Sequence, residues 1–195
     1  GKYCSGKNSV AEILEKRQIP SIDVDKLGHQ ALTANLNTIA EVFGDSVIER
    51  KTEGDFVNRR ALGEIVFSDP SRLKELEKIS HPWMKEETAR LVDAHLDAGA
   101  SHVIINAAIL YKMKLDSLCD CIIWVEAPFI NRVRRAVKRD SISLVSALKR
   151  IYTQRQVKPK PSENSVDIYR VGNRAGIAYL ERRVVDVLKA IEQKD

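Results

Sequence analysis

Apolar residues recur along this chain with two different spacings. Val10, Ile13 and Leu14 fall three and four apart, the period of a helix that buries one face. Residues 19–25 read as a short strand ending in Asp23 and Asp25. Residues 36–43, 60–67, 71–79 and 83–96 then carry helical spacing with little strand signal between them. Asp69-Pro70-Ser71 and Ser80-His81-Pro82 read as helix starts with a proline in the first turn. Unbroken apolar runs at 102–106 and 121–126 suit parallel strands covered on both faces. Helices are expected at 129–138 and 143–154, and a last strand at 166–171. Ile177, Leu180, Val184, Leu188 and Ile191 trace the buried stripe of a final helix. The order is strand and helix in alternation, with an all-helical insertion after the residue 19–25 strand. That pattern predicts an α/β fold on a parallel sheet, with ligands at the carboxyl ends of the strands.

The chain opens on Gly1-Lys-Tyr-Cys-Ser-Gly6-Lys7, followed directly by a helical pattern. This is the G-x-x-x-x-G-K frame of a phosphate-binding loop. Its backbone N–H groups cradle phosphates, its lysine reaches the β and γ phosphates, and the next helix turns its positive end toward them. The strand that leads into such a loop is not in the sequence, and one is expected to precede Gly1. The residue after the lysine, ordinarily a Ser or Thr whose hydroxyl meets Mg²⁺, is Asn8.

Composition adds bounds. The chain has 195 residues, enough for one domain with an insertion, at 44% hydrophobic and 30% charged. No apolar run has the length of a membrane span. Cys4, Cys119 and Cys121 have no framework spacing, which suits a reduced, cytoplasmic protein. Net charge is +5, but between Arg132 and Lys160 ten basic residues meet one acid, Asp140. Such a stretch suits a polyphosphate ligand, and equally a solvated pair of helices. It is not interleaved with aromatics, which speaks against single-stranded nucleic acid as the partner.

Arg132, Arg135 and Arg139 fall at i, i+3 and i+7 on one side of a helix. They read either as a mobile basic flap that closes on transferred phosphoryl charge or as a solvated face. Asp25 reads as a carboxylate that takes a proton from an acceptor hydroxyl, as one that binds Mg²⁺ through water, or as the cap of the helix that follows. His81 reads as a cap or packing residue, as a pocket residue, or as an acid or base.

Together these segments resemble the dephospho-coenzyme A kinase family over most of the chain. Ile22-Asp-Val-Asp25 with Lys26 and His29 is similar to the family's I-D-A-D segment. The stretch from Asn58 to Pro70 resembles R-x-x-L-x-x-x-V-F-x-(D/N)-P, and Leu76 to Pro82 resembles L-x-x-I-x-H-P. Arg135, Arg139-Asp140, Ser143, Arg150 and Gln154 resemble its lid pattern.

The resemblance implies a P-loop NTPase-like three-layer α/β kinase domain over residues 1–195. It would carry a helical coenzyme A-binding insertion at 26–98 and a helical lid at 132–160. It implies ATP as co-substrate, Mg²⁺, and dephospho-CoA as the small-molecule substrate, phosphorylated on its ribose 3′-hydroxyl. Asp25 would be the base, Lys7 and Arg139 would hold the transferred phosphoryl group, and Cys4, Ser5, Gly6, Lys7, Asn8 and Ser9 would bind ATP. Arg59 and His81, with Asp25, would lie at the substrate, and Asn8 would meet the metal.

Three segments depart from the family pattern. Besides Asn8, the family's D-x-P-L-L-x-E segment reads Asn106-Ala-Ala-Ile-Leu-Tyr-Lys112, losing two acids and a proline. The late A-D-x-V-I-x-N motif is echoed only loosely by Val166-Asp167 and Gly172-Asn173.

Overall fold

The computed structural model describes residues 1–154, 157–159 and 166–194. Arg155 and Lys160 of the basic stretch lie outside the described residues. The order is α1 (Lys7–Glu15), β1 (Ser21–Asp23), α2 (Val24–Ala34), α3 (Leu36–Phe43), β2 (Ile48–Lys51), β3 (Gly54–Val57), α4 (Arg59–Ser68) and α5 (Pro70–Asp97). Then follow β4 (Ile104–Asn106), β5 (Cys121–Glu126), α6 (Phe129–Asp140), α7 (Leu144–Thr153), β6 (Asp167–Gly172) and α8 (Gly176–Glu192). The chain divides into two compact units, one of Gly1–Ser21 with Gly99–Asp195, the other of Ile22–Ala98.

In the first unit β5 and β6 run parallel, in register from Cys121 opposite Asp167 to Glu126 opposite Gly172. The Ile104 N–H at the start of β4 donates to the Pro20 carbonyl at 2.9 Å. Val10, Ile13 and Leu14 of α1 and Leu180, Val184 and Val187 of α8 bury themselves with Val125 and Val171 of the two strands. That packing removes the apolar stripes of both helices from water and fixes where α1 begins. The final stripe differs from the expected one at its start: Ile177 is 60% exposed.

In the second unit Ile39, Phe43, Val47, Leu62 and Val66 form the core. Three findings here depart from the sequence reading. Residues 48–57 form an antiparallel hairpin, Ile48 opposite Val57 and Lys51 opposite Gly54. Its strands carry almost no apolar alternation, because only Ile48 and Val57 are even half-buried; backbone pairing makes the ladder without a hydrophobic pattern to announce it.

Residues 70–97 are a single 28-residue helix with Pro82 inside it, where a helix start at Ser80-His81-Pro82 is expected. The face that α5 buries, Ser80, Met84 and Thr88, runs four apart straight past the proline, so packing on both sides carries the helix through. Ser80 turns its hydroxyl to the Leu76 carbonyl at 2.8 Å beside the backbone bond that Pro82 cannot make. The strand ending in two aspartates also stops earlier than expected. Asp23 closes β1 and caps α2, accepting from the backbone N–H of Asp25 at 3.1 Å and of Lys26 at 3.3 Å. Asp25 is therefore in the first turn of a helix, neither on a strand face with Asp23 nor the cap.

Candidate functional site

The first seven residues make a tight concave loop. Ser5 N–H donates to the Lys2 carbonyl at 3.1 Å, Cys4 has φ 57° and Gly6 has φ 106°. These left-handed residues tighten the turn, and α1 starts at Lys7, so the N–H groups of its first turn have no partner within the helix. The loop lies at the carboxyl end of the parallel pair: a side chain on Gly1 would run into the Val125 carbonyl of β5. The expected nucleotide residues Cys4, Ser5, Gly6, Lys7, Asn8 and Ser9 all line one cavity of about 640 Å³. Arg135, Lys138 and Arg139 of α6 line its other side, with Ile177 and Leu180 of α8 as an apolar wall. Ile177, expected in the buried stripe, is exposed because it faces this cavity, and an apolar edge beside a phosphate cradle suits a nucleobase.

The loop is held by groups remote in sequence. Asn173, just past β6 and 5% exposed, donates from Nδ2 to the Ser5 carbonyl at 2.9 Å. Its own N–H donates to the Glu126 carbonyl at 2.6 Å. Arg135 donates from Nη2 to Asn173 Oδ1 at 2.9 Å and from Nη1 to the Ser5 carbonyl at 3.2 Å. Arg132, 6% exposed, donates from Nε to the Tyr3 carbonyl at 2.8 Å. Burial pulls its pKa below the usual arginine range. At Arg132 and Arg135 the row is neither solvated nor a loose flap, because both side chains are spent on carbonyls of the phosphate loop, whereas the Arg139 side chain is exposed. The Ser5 hydroxyl and Arg132 Nη2 are buried and have no hydrogen-bond partner among the described residues.

Arg139 is fixed differently. Its Nε donates to Asp140 Oδ1 at 2.7 Å, its Nη2 to Oδ2 at 3.3 Å, and its guanidinium lies 5.4 Å from the Tyr3 ring centroid. The Tyr3 hydroxyl donates to the same Asp140 carboxylate, and Arg150 reaches both at 3.4 Å. Hydrogen bonds from Arg139 and Tyr3 hold the Asp140 carboxyl down at about 2. Burial, with the bond to Asp140 second, pushes the Tyr3 phenol up. Tyr3 thereby ties the loop to the arginine expected in catalysis. No sequence signal marks it, because its partner lies 137 residues away.

The metal position keeps oxygen donors in the form of amides, and an amide oxygen has two lone pairs, so one hydrogen bond leaves it able to meet a cation. Asn106, the last residue of β4, donates from Nδ2 to Asn8 Oδ1 at 3.3 Å. The two positions expected to offer a hydroxyl and a carboxylate offer two neutral amides bonded to each other. Among the described residues no group of three His, Cys, Asp or Glu side chains could hold a metal ion.

The remaining expected residues belong to the second unit. Asp25 is exposed in the first turn of α2, Arg59 is exposed at the first turn of α4, and His81 is half-buried within α5. α2 and α5 meet where Gly28 faces Met84, at 3.6 Å from the place a Cβ would occupy, and Asp25 and His81 each lie three residues before that contact.

A family model described as "CoaE: Dephospho-CoA kinase" matches residues 1–170. A Lactobacillus johnsonii protein named dephospho-CoA kinase is 28% identical, covering 98% of this chain and 95% of its own length. A crystal structure from Thermus thermophilus superposes with a TM-score of 0.73 at 27% identity, over 97% of this chain and 93% of that one. A dephospho-CoA kinase from Campylobacter jejuni superposes with a TM-score of 0.69 at 24% identity, over 97% and 92%, an agreement in fold.

Proposed function

The chain belongs to the dephospho-CoA kinase family, and from that premise we propose that it transfers the γ-phosphoryl group of ATP to the ribose 3′-hydroxyl of dephospho-CoA. The observation that carries this reading is the cavity at the loop. There the N-terminal end of α1, Lys7 and the α6 arginines converge at the carboxyl end of a parallel strand pair. Phosphoryl transfer asks the protein mainly for positioning and for positive charge around the transferred group. The loop N–H groups and Lys7 grip the phosphates, and Arg139 meets the phosphoryl group as its charge spreads. The 3′-oxygen attacks the γ-phosphorus, the bond from that phosphorus to the bridging oxygen breaks, and ADP leaves with the electron pair. Asp25 takes the hydroxyl proton. Its support is local: Asp23 does the capping, which leaves the Asp25 carboxylate out of the cap.

We assign residues 26–98 to coenzyme A binding, with Arg59 and His81 at the substrate, and residues 132–160 to a lid over the nucleotide. No described helix is long and apolar enough to cross a membrane, and we place the protein in the cytoplasm on its free Cys4, Cys119 and Cys121. Asn8 would hold the magnesium ion that accompanies ATP, which would screen the phosphate charge.

The test is ADP release with ATP, magnesium and dephospho-CoA, each omitted in turn. Release that needs ATP and dephospho-CoA together supports the assignment. The Asn8–Asn106 pair favours a second reading, a protein that binds these nucleotides without transfer. ATP binding with no ADP release under any condition would establish that one instead.

A further inference from the structure

We infer that Tyr3 is a positioning residue for phosphoryl transfer: its hydroxyl, through Asp140, sets where the Arg139 guanidinium stands relative to the phosphate loop. The inference rests on the role given to Arg139 above. Arg139 lines the cavity with Gly6 and Lys7, yet its side chain is 58% exposed. A long side chain in that setting has many rotamers, and holding it in one of them costs conformational entropy. Its two bonds to Asp140 do not remove that freedom by themselves. The two residues are neighbours at the end of α6, so the pair holds Arg139 against its own turn of helix and not against the loop. Arg132 and Arg135 anchor α6 to the loop earlier along the helix. At the last turn that task falls to Tyr3.

Every polar group of Tyr3 is engaged with α6, with α7 or with the residue that ends α7. Its N–H donates to Gln154 Oε1 at 2.6 Å and its carbonyl accepts from Arg132 Nε at 2.8 Å. Its hydroxyl donates to Asp140 Oδ2 and accepts from Arg150 Nη1 at 3.4 Å. The same Oδ2 accepts from Arg139 Nη2 at 3.3 Å, so one oxygen joins the phenol to the guanidinium, and the ring lies 5.4 Å from that guanidinium. With its backbone bonded on both sides, Tyr3 is the fixed member and Arg139 the one that is placed. Arg139 turns Nε and Nη2 to Asp140, which leaves Nη1 for a phosphoryl oxygen. A charged group acts on a transition state best when it is in place beforehand, and a misplacement of about 1 Å costs up to about 10²-fold in rate. Arg139 meets charge that spreads during transfer, so its misplacement belongs in kcat and not in the KM for ATP.

The experiment is steady-state ADP release by the full chain and by Tyr3→Phe, Arg139→Ala and the double variant, each shown to be folded by circular dichroism. Tyr3→Phe keeps the ring and both backbone bonds. It is expected to lose at least about fivefold in kcat with the KM for ATP within about twofold, and to cost less than about 1.5-fold when Arg139 is already alanine. An unchanged kcat, a loss carried in KM, or the same loss in both backgrounds would overturn the inference. A second readout needs no turnover. The Arg139 Nε–H resonance of the nucleotide-free chain, assigned by its disappearance in Arg139→Lys, is expected to exchange with water at least about fivefold faster in Tyr3→Phe. Unchanged exchange would also overturn the inference. Arg139→Ala with full kcat would instead remove Arg139 from the reaction, and no ADP release by the parent chain would remove the transfer reading. The inference falls with either, and the exchange rates still tell that failure apart from a Tyr3 that holds nothing.

Discussion

Gly6→Ala tests whether the phosphate loop is held by the remote contacts described above. Gly6 has φ 106°, and a Cβ there would overlap Nδ2 of Asn173. The backbone strain alone costs about 1–2 kcal/mol for a residue with a side chain. The overlap adds more, because Asn173 has no room to turn. It is 5% exposed, its Nδ2 donates to Ser5 at 2.9 Å and its Oδ1 accepts from Arg135 at 2.9 Å. Swinging it away forfeits one neutral and one charge-assisted bond, about 0.5–1.5 and about 1.5–3 kcal/mol. The expected loss is therefore about 3–6 kcal/mol, a large part of the stability of a domain this size.

Gly99→Ala is the control, with φ 90° and nothing within 4 Å of the new Cβ. It is expected to cost the backbone term alone, about 1–2 kcal/mol. Both are read from urea unfolding midpoints at unchanged slope, with ATP titration alongside. Should Gly6→Ala be too unstable to purify, Gly6→Ala with Asn173→Ala removes the overlap, and in it the alanine at 6 should cost no more than the control. If Gly6→Ala alone cost no more than Gly99→Ala and left ATP affinity unchanged, the account of the loop as wedged by Asn173 would be wrong.

Asp23→Ala removes the cap of α2 and is expected to cost about 1 kcal/mol in thermal or urea unfolding, whereas Asp25→Asn should leave stability unchanged and abolish ADP release. The reverse pattern would exchange their roles. The Asp140 carboxyl is depressed to about 2 in the folded chain, so its contribution is complete above the unfolded value near 4 and is lost as pH falls toward 2. Asp140→Asn should accordingly lower the melting temperature at pH 7 by more than at pH 2.5, and a deficit that does not shrink on acidification would refute that linkage. Burial pushes the Cys119 thiol up to about 12, so iodoacetamide at pH 8 should label it far more slowly in the folded chain than in urea, as read by peptide mass spectrometry.

The parts legible in the sequence were those set by local pattern. Strand 121–126 was bounded correctly because six consecutive residues carry the apolar run of a covered parallel strand. Helix 36–43 was bounded correctly too, because Gly44 ends it at a positive φ. The hairpin at 48–57 escaped because IERK and GDFV offer no alternation. The single α5 escaped because Pro82 is a strong local signal that packing overrode. At the site, the loop, Lys7 and the arginine row were readable from spacing alone. What the row does was not, because nothing local distinguishes an arginine that faces water from one such as Arg132, which is 6% exposed against the Tyr3 carbonyl.

The same limit explains where the chain departs from its family. Asn8 alone reads as a tolerated change of metal ligand, and Asn106 alone as a lost acid. Only folding brings them together, across 98 residues, into a neutral pair. The α6 cations that line the far side of the cavity are equally remote in sequence: Lys2 stands inside the loop, while Arg135, Lys138 and Arg139 stand across from it. Positive charge gathered there is present before any anion arrives and must be restrained against self-repulsion. Asp140 and the Tyr3 ring restrain Arg139, and the loop carbonyls with Asn173 restrain Arg135.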